Sequence, residues 1–279
     1  MQIVKSPMRY ILFILFSISL FNCSEYQKAL KSTNTAEKFK LGTSLYDAEK
    51  YAKANRLFSQ IVPVYRGKPQ AEKLMFMYSS SLYKMGDFYL SGYQFDNFKS
   101  TYVNSQKLEE ASFLGAKSYY ELSPIFSKDQ TETVNAIEKL QLFINQFPDS
   151  KYLSEANTLI KELDFKLEMK AFEIAKQFNY TAYYDTSDYE AAISSFDNFI
   201  VDFPGSELRE DAMYLRLDSA YQLAINSIES KKQTRLNTAL DYYRVLIEAY
   251  PETKFFDAIQ KMNAEMLLAL EQINLKANT

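Results

Sequence analysis

From Thr35 onward the apolar residues recur with a helical period, interrupted again and again by one short phrase. Ala54, Phe58, Ile61 and Tyr65 step by four, three and four, which sets them on one stripe of an amphipathic helix. The phrase is an aromatic residue, usually a proline, a turn residue, then Ser or Thr. It stands at Phe147-Pro148-Asp149-Ser150, Phe203-Pro204-Gly205-Ser206 and Tyr250-Pro251-Glu252-Thr253, with degraded copies at Tyr102-Val103-Asn104-Ser105 and Tyr65-Arg66-Gly67-Lys68. Proline has no N–H and pushes the residue before it out of the α region, so a helix ends there. The hydroxyl two positions later can accept from a free amide of the next helix. Each copy therefore joins a helix stop to a helix start, and the repetition predicts an array of helical units.

The register supports this. Phe39, Phe76 and Phe113 are spaced by 37 residues, as are Tyr46, Tyr83 and Tyr120, and the small residues Gly42, Ser79 and Ala116. The second helix of the unit keeps step, pairing Tyr51 with Phe88, Ala54 with Ser91, Phe58 with Phe95 and Tyr65 with Tyr102. Gly42, Ser79 and Ala116 are expected to face Ala54, Ser91 and Ala136, so that the two helices approach closely. An eight-residue shift near 124–131 delays the third unit, and the later phrases are 45, 56 and 47 residues apart, marking insertions. Unit four starts at Ser150 and turns within Tyr183–Ser187; unit five starts at Ser206 and turns near Ser230–Gln233. Phe255 to Ile273 forms a last helix that caps the stack. The predicted fold is all-α: five helical hairpins and a capping helix in one continuous superhelix without a sheet. It spans 35–279, with units one to three in 35–148 and units four, five and the cap in 149–279. The unit resembles the tetratricopeptide repeat, lengthened beyond its usual ~34 residues.

The first 34 residues break the pattern. Lys5 and Arg9 precede an uncharged, mostly apolar run from Tyr10 to Phe21. Twelve residues are too few for a spanning helix, which needs about 20, and fit the core of a signal peptide. The run closes on Leu20-Phe21-Asn22-Cys23, which resembles a bacterial lipoprotein signal with cleavage before an acylated cysteine. Cys23 is the chain's one cysteine. Residues 1–22 are thus expected to be removed, leaving a net charge of −5 in place of −3, and acyl chains on Cys23 to hold the protein in a membrane. Ser24 stands where the resembled sorting rule would need Asp for inner-membrane retention, so the outer membrane is expected. Residues 23–34 read as a polar tether with one helical turn around Tyr26–Lys31.

Composition then narrows the chemistry. No histidine occurs, so no His base, His-activated nucleophile or His metal ligand is available. One cysteine forms neither an internal disulfide nor a thiolate zinc site. The acidic balance argues against nucleic acid, and neither cofactor nor metal is expected. Gly67-Lys68 lacks the upstream glycine and strand of a phosphate loop and reads as a turn. Glu109-Glu110, Asp185 with Asp188, and Glu210-Asp211 could pair as acid and base, but the helix dipole already accounts for acids at helix starts. The chain reads as non-enzymatic. The ladder of Phe39, Phe76, Phe113 and Tyr46, Tyr83, Tyr120 is more telling, since rigid aromatics suit an extended peptide ligand. Packing between hairpins is the competing reading; it weighs more for the Phe positions, and ligand contact weighs more for Tyr.

With signal, five units and insertions in place, the chain resembles the BamD (YfiO) family, the tetratricopeptide lipoproteins of the outer-membrane β-barrel assembly machinery. The resemblance is carried by Gly42 through Tyr65-Arg66-Gly67, by Leu122-Ser123-Pro124 through Asp129-Gln130-Thr131, and by Ala136-Ile137-Glu138 through Phe147-Pro148-Asp149-Ser150. It implies a periplasmic scaffold that takes part in folding and inserting barrel proteins. In the family, the N-terminal repeats are associated with the C-terminal strand signal of barrel substrates, which here assigns the Phe and Tyr ladder to a concave binding face. The C-terminal repeats dock a BamA-like barrel-forming subunit, which falls on Arg209, Glu210 and Asp211; Arg209 stands beside Glu210 instead of at the basic position expected. Three rivals remain. A glycan-uptake lipoprotein of this repeat class would favour tryptophan, which is absent; a trimeric envelope coordinator would need heptads in 24–34; and a carboxylate enzyme comes last.

Overall fold

The computed structural model describes residues 25–277; the signal segment and Cys23 lie outside them. The described residues form helices and no strand. A short α1 covers 25–31. It is followed by α2 (Thr35–Asp47), α3 (Tyr51–Tyr65), α4 (Ala71–Lys84), α5 (Phe88–Thr101), α6 (Leu108–Leu122) and α7 (Thr131–Gln146). The chain continues through α8 (Leu153–Thr181), α9 (Asp188–Asp202), α10 (Arg209–Ile225), α11 (Glu229–Ala249) and α12 (Phe256–Ala277). Helices α2 to α11 pair in order as five hairpins, and α12 closes the series. The architecture is all-α and tetratricopeptide-like. Within a hairpin and between hairpins, sequence neighbours pack together, and first helices also touch the next first helix, α2 with α4 and α4 with α6.

The recurring phrase folds the same way each time. Tyr102, Phe147, Phe203 and Tyr250 follow the last helical residue with φ between −134° and −118° and ψ between 59° and 76°. Each donates its N–H to the carbonyl four residues back, and its own carbonyl accepts from the Ser or Thr amide three residues on. The hydroxyls of Ser105, Ser150, Ser206 and Thr253 accept from the amide two residues later, opening the next helix. Tyr102 adopts this geometry without a proline, so the geometry is set by the hydrogen bonds as much as by the ring. Three of the hydroxyls also reach back to a glutamate in the first turn of an earlier hairpin: Ser105 to Glu72, Ser150 to Glu109 and Thr253 to Glu210, each at 2.6 Å. A turn signal thereby doubles as a clamp between one hairpin and the element that follows it, a hairpin for Ser105 and Ser150 and α12 for Thr253. Tyr65 differs: it is the last helical residue, and the chain turns at Arg66 and at Gly67, whose φ is +76°.

Two compact units divide the chain: residues through Pro124 with Gln130–Leu163, and Ile125–Asp129 with the residues from Asp164 onward. The division lies inside α8. The 29 residues of α8 are long enough to serve two cores. Ala156, Leu159 and Leu163 pack with Phe113, Ala136, Leu140 and Phe143, while Phe172 and Ala175 pack with Ala192, Phe196 and Phe199. Helix period alone continues smoothly across such a junction.

Three further details differ from the sequence expectation. The turn of the fifth hairpin falls at 226–228 and not at Ser230–Gln233. Asn226 and Ser227 bond back to the carbonyls of Gln222 and Leu223, and so terminate α10 earlier, while Ser230–Gln233 holds no residue that breaks a helix. From residue 25 the supposed tether is docked: Ala29 is fully buried, and the nearly buried Lys38 donates to the Leu30 carbonyl and to Gln60. Finally, Gly42 abuts the Phe58 ring, so its missing side chain makes room for an aromatic. The expected small-to-small approach does appear in the second hairpin, where the Ser91 hydroxyl donates to the Ser79 carbonyl.

Each unit holds one half-buried ionic knot at matching positions. Asp96 accepts from Lys99, Lys139 and the Tyr119 hydroxyl. Burial alone would raise its pKa, but the two lysines outweigh burial and hold it below the usual carboxylate value. Asp197 accepts from Arg216 and Tyr242, and the guanidinium lies 4.2 Å from the Tyr242 ring centre. In the first knot the cation that bridges hairpins comes from a second helix and the tyrosine from a first helix. In the second knot the two have changed places.

Candidate functional site

The ladder residues divide by chemistry. Phe76 and Phe113 are buried, at 9% and 3% exposure. Phe76 meets Phe95 and Phe98 edge-on, and Phe113 stacks on Tyr152 at 4.5 Å and tilts against Phe143. Half-buried Phe39 stacks on Tyr65. These rings pack the first helix of each hairpin onto its second, with Phe113 alone reaching the start of the next hairpin through Tyr152, and the aromatic surface they offer to a ligand is small. The tyrosines are half-buried and link successive first helices through their hydroxyls. Tyr46 shares a 2.8 Å hydrogen bond with Ser80, and Tyr120 donates to Glu162. Burial raises the pKa of Tyr46 and Tyr83, and the Glu162 bond followed by burial pushes Tyr120 up to about 12. All three hydroxyls therefore stay neutral at physiological pH.

One cleft gathers part of the ladder. A volume of about 440 Å³ lies beside Tyr46, Phe76 and Met77, walled by Glu72, Lys73 and Lys107. Its floor is apolar and its rim carries charges of both signs. The Lys107 ammonium stands 5.1 Å from the Phe76 ring centre and pairs with Glu110 at 2.8 Å, which raises its pKa. Lys73 is exposed and has no ion-pair partner among the described residues. The sequence reading missed both lysines. Yet each is placed against a helix dipole, Lys107 at the N-cap of α6 and Lys73 in the first turn of α4. A cation there is disfavoured locally, and that signal could have flagged them.

The C-terminal trio is built into the framework. Arg209 donates to the Ile200 carbonyl, Asp211 pairs with Lys254 at 2.7 Å, and Glu210 accepts from Thr253 and from the Lys254 amide. Glu210 also borders a small hollow of about 370 Å³ along Tyr250–Thr253. Cys23 lies outside the described residues, and among them no helix is long and apolar enough to cross a membrane.

Comparison with known proteins follows the same lines. The family described as "YfiO: Outer membrane lipoprotein" matches residues 31–181 and 177–276. A curated relative, "Outer membrane protein assembly factor BamD" of Rickettsia prowazekii (strain Madrid E), is 24% identical over 215 residues, covering 77% of this chain and 80% of that protein. Among solved structures, the "TPR2AB-domain:pHSP90-complex of yeast Sti1" aligns with a TM-score of 0.39 and 12% identity, over 83% of this chain and 98% of that one. With nearly the whole array matched from α1 to α12, the chain belongs to the YfiO family of outer membrane lipoproteins.

Proposed function

We propose that this lipoprotein is a non-catalytic scaffold for assembling outer-membrane β-barrel proteins, held at the outer membrane by acyl chains on Cys23 and facing the periplasm. The observation that carries this reading is the kinship with an outer membrane assembly factor across four fifths of that protein's length. The geometry supports a binding role. Unfolded barrel proteins are the ligands of the first-helix face of hairpins one to three, and the cleft at Tyr46 and Phe76 is its most defined part. An apolar floor suits an aromatic or aliphatic side chain of a strand peptide, and Lys73 and Lys107 suit its terminal carboxylate. Tyr83 and Tyr120 extend the same face, while Phe39, Phe76 and Phe113 hold its helices in register. Arg209, Glu210 and Asp211 dock a BamA-like barrel-forming subunit, and the hollow beside Glu210 gives that contact a recess.

A fluorescent peptide of a barrel protein's last strand, titrated against the full chain, tests the first role. Lys73→Glu with Lys107→Glu should weaken binding by at least about tenfold, the loss of one charge-assisted contact, with no change in helicity. Undiminished binding would refute the cleft assignment. Crosslinking in intact cells tests the second role, and failure to recover a barrel-assembly subunit would remove it.

A further inference from the structure

A second cleft lies away from the ladder, between the second helices of the first two hairpins. Its volume is about 620 Å³, and α3, the turn after it, α4 and α5 all contribute to its walls. That size falls within the ~300–1,000 Å³ of small-ligand sites. Neither Asp nor Glu lines it, so it suits neither a metal ion nor a cationic ligand. Its polar lining includes Arg66, Tyr78, Tyr93, Gln94 and Asn97, and among the described residues none of these five side chains has a hydrogen-bond or ion-pair partner, while the Ser59 hydroxyl donates to the Arg56 carbonyl. The backbone supplies one more group. Pro63 stands inside α3 and has no N–H to give to the Ser59 carbonyl one turn earlier, and both residues line the cleft. Val62 and Met75 add apolar surface.

We propose that this cleft binds a short N-acetylated oligosaccharide. A pyranose has an apolar C–H face and an equatorial rim of hydroxyls, so it asks for an aromatic ring and for groups that donate and accept together. Tyr93 supplies the ring: it is 56% exposed, lines the cleft and makes no ring contact among the described residues. Gln94 and Asn97 sit three apart on α5, so they lie on neighbouring positions of one helix face. Each carboxamide carries two donors and an acceptor, the complement of an acetamido group or a vicinal diol. The Ser59 carbonyl accepts from a hydroxyl, and Arg66 accommodates an acidic substituent on the sugar. A purely apolar ligand would strand these polar groups away from water at a cost. A polyphosphate would find one cation only. A strand peptide with a terminal carboxylate, the ligand proposed for the first cleft, would find one cation here, Arg66, where the first cleft offers Lys73 and Lys107.

The proposal does not depend on the barrel-assembly reading, since it concerns a different face and a different ligand. Tri-N-acetylchitotriose is the probe, titrated into the detergent-solubilised full chain by calorimetry and followed by saturation-transfer NMR. Saturable binding in the millimolar range or tighter is expected. Tyr93→Ala with Asn97→Ala should weaken it about tenfold by removing one ring contact and one hydrogen-bonding pair, while Tyr93→Phe retains most of it. Tyr89→Ala, on the same helix, 73% exposed and outside the cleft, should leave it unchanged. Circular dichroism of each variant shows whether the array stays folded. Absence of saturable binding, or binding that survives the double substitution in a folded chain, overturns the proposal. So does binding lost equally with Tyr89→Ala.

Discussion

Gly42→Ala is the substitution on which local and tertiary reasoning disagree in sign. Gly42 lies inside α2, and helix propensity alone favours alanine there by about 1 kcal/mol. The fold opposes it. A Cβ on Gly42 would stand 2.6 Å from Cε1 of Phe58, 3.0 Å from Cδ1 and 3.3 Å from Cζ. Carbon atoms are at ease near 3.5–4.0 Å, so the ring must retreat by about 1 Å. Phe58 is fully buried among Ala54, Ile61, Leu74 and Met77, with no solvent side to retreat into. Overpacking of this kind costs about 1–3 kcal/mol. Set against the propensity gain, the net effect is a destabilisation of up to about 2 kcal/mol, or a fall in Tm of up to about 8 °C for a chain of this size. Thermal unfolding followed at 222 nm measures it, and Gly42→Ala with Phe58→Leu should recover part of the loss by vacating the space. A rise in Tm for the single variant, or no recovery in the double, would refute the close-approach argument.

Four other outcomes are expected. Gly205→Ala, in a turn where an added Cβ meets nothing within 4 Å, should be neutral or stabilising by about 0.4–1 kcal/mol through the unfolded state; a clear loss in urea unfolding would show a contact unaccounted for. Glu210→Ala and Thr253→Val should each destabilise, and a double-mutant cycle should return a coupling of about 1–2 kcal/mol, matched by Glu109→Ala with Ser150→Ala; independent effects would dismiss the clamp. The pKa of Asp96 is lowered from 3.8 in the folded chain, so its ion pairs stabilise fully above that value and less as pH falls through the folded pKa. Asp96→Asn should therefore cost about 1 kcal/mol at pH 7 and progressively less as pH falls below 3.8 through the folded pKa, whereas a cost that does not change with pH would point to shape and not charge. Cys23→Ala should yield an unprocessed, mislocalised precursor, and normal membrane fractionation of that variant would refute the lipid anchor.

The Glu210 result bears on how the docking residues are to be probed. Because Glu210 clamps the turn at Thr253, its removal disturbs the fifth hairpin whether or not a partner touches it. Asp211 is the cleaner probe, since among the described residues its side chain bonds only to the exposed Lys254. Such double duty could not be read from spacing, because the partners lie more than 40 positions apart in the chain.

What the amino-acid order determined by itself is local. It set the positions of ten hairpin helices, the five hairpins and the recurring turn, because proline stereochemistry, the 3.6-residue period and hydroxyl-to-amide bonds all act within a few residues. It also placed the tyrosines in register. The tertiary structure decided what depends on distant partners. It buried Phe76 and Phe113 while leaving the tyrosines half-open, divided α8 between two cores, docked the residues ahead of α2 through Lys38, and gathered Lys73 and Lys107 beside Phe76. Helical period says which residues share a stripe. It does not say which neighbouring helix, tens of residues away, covers that stripe and which part of it stays open to a ligand.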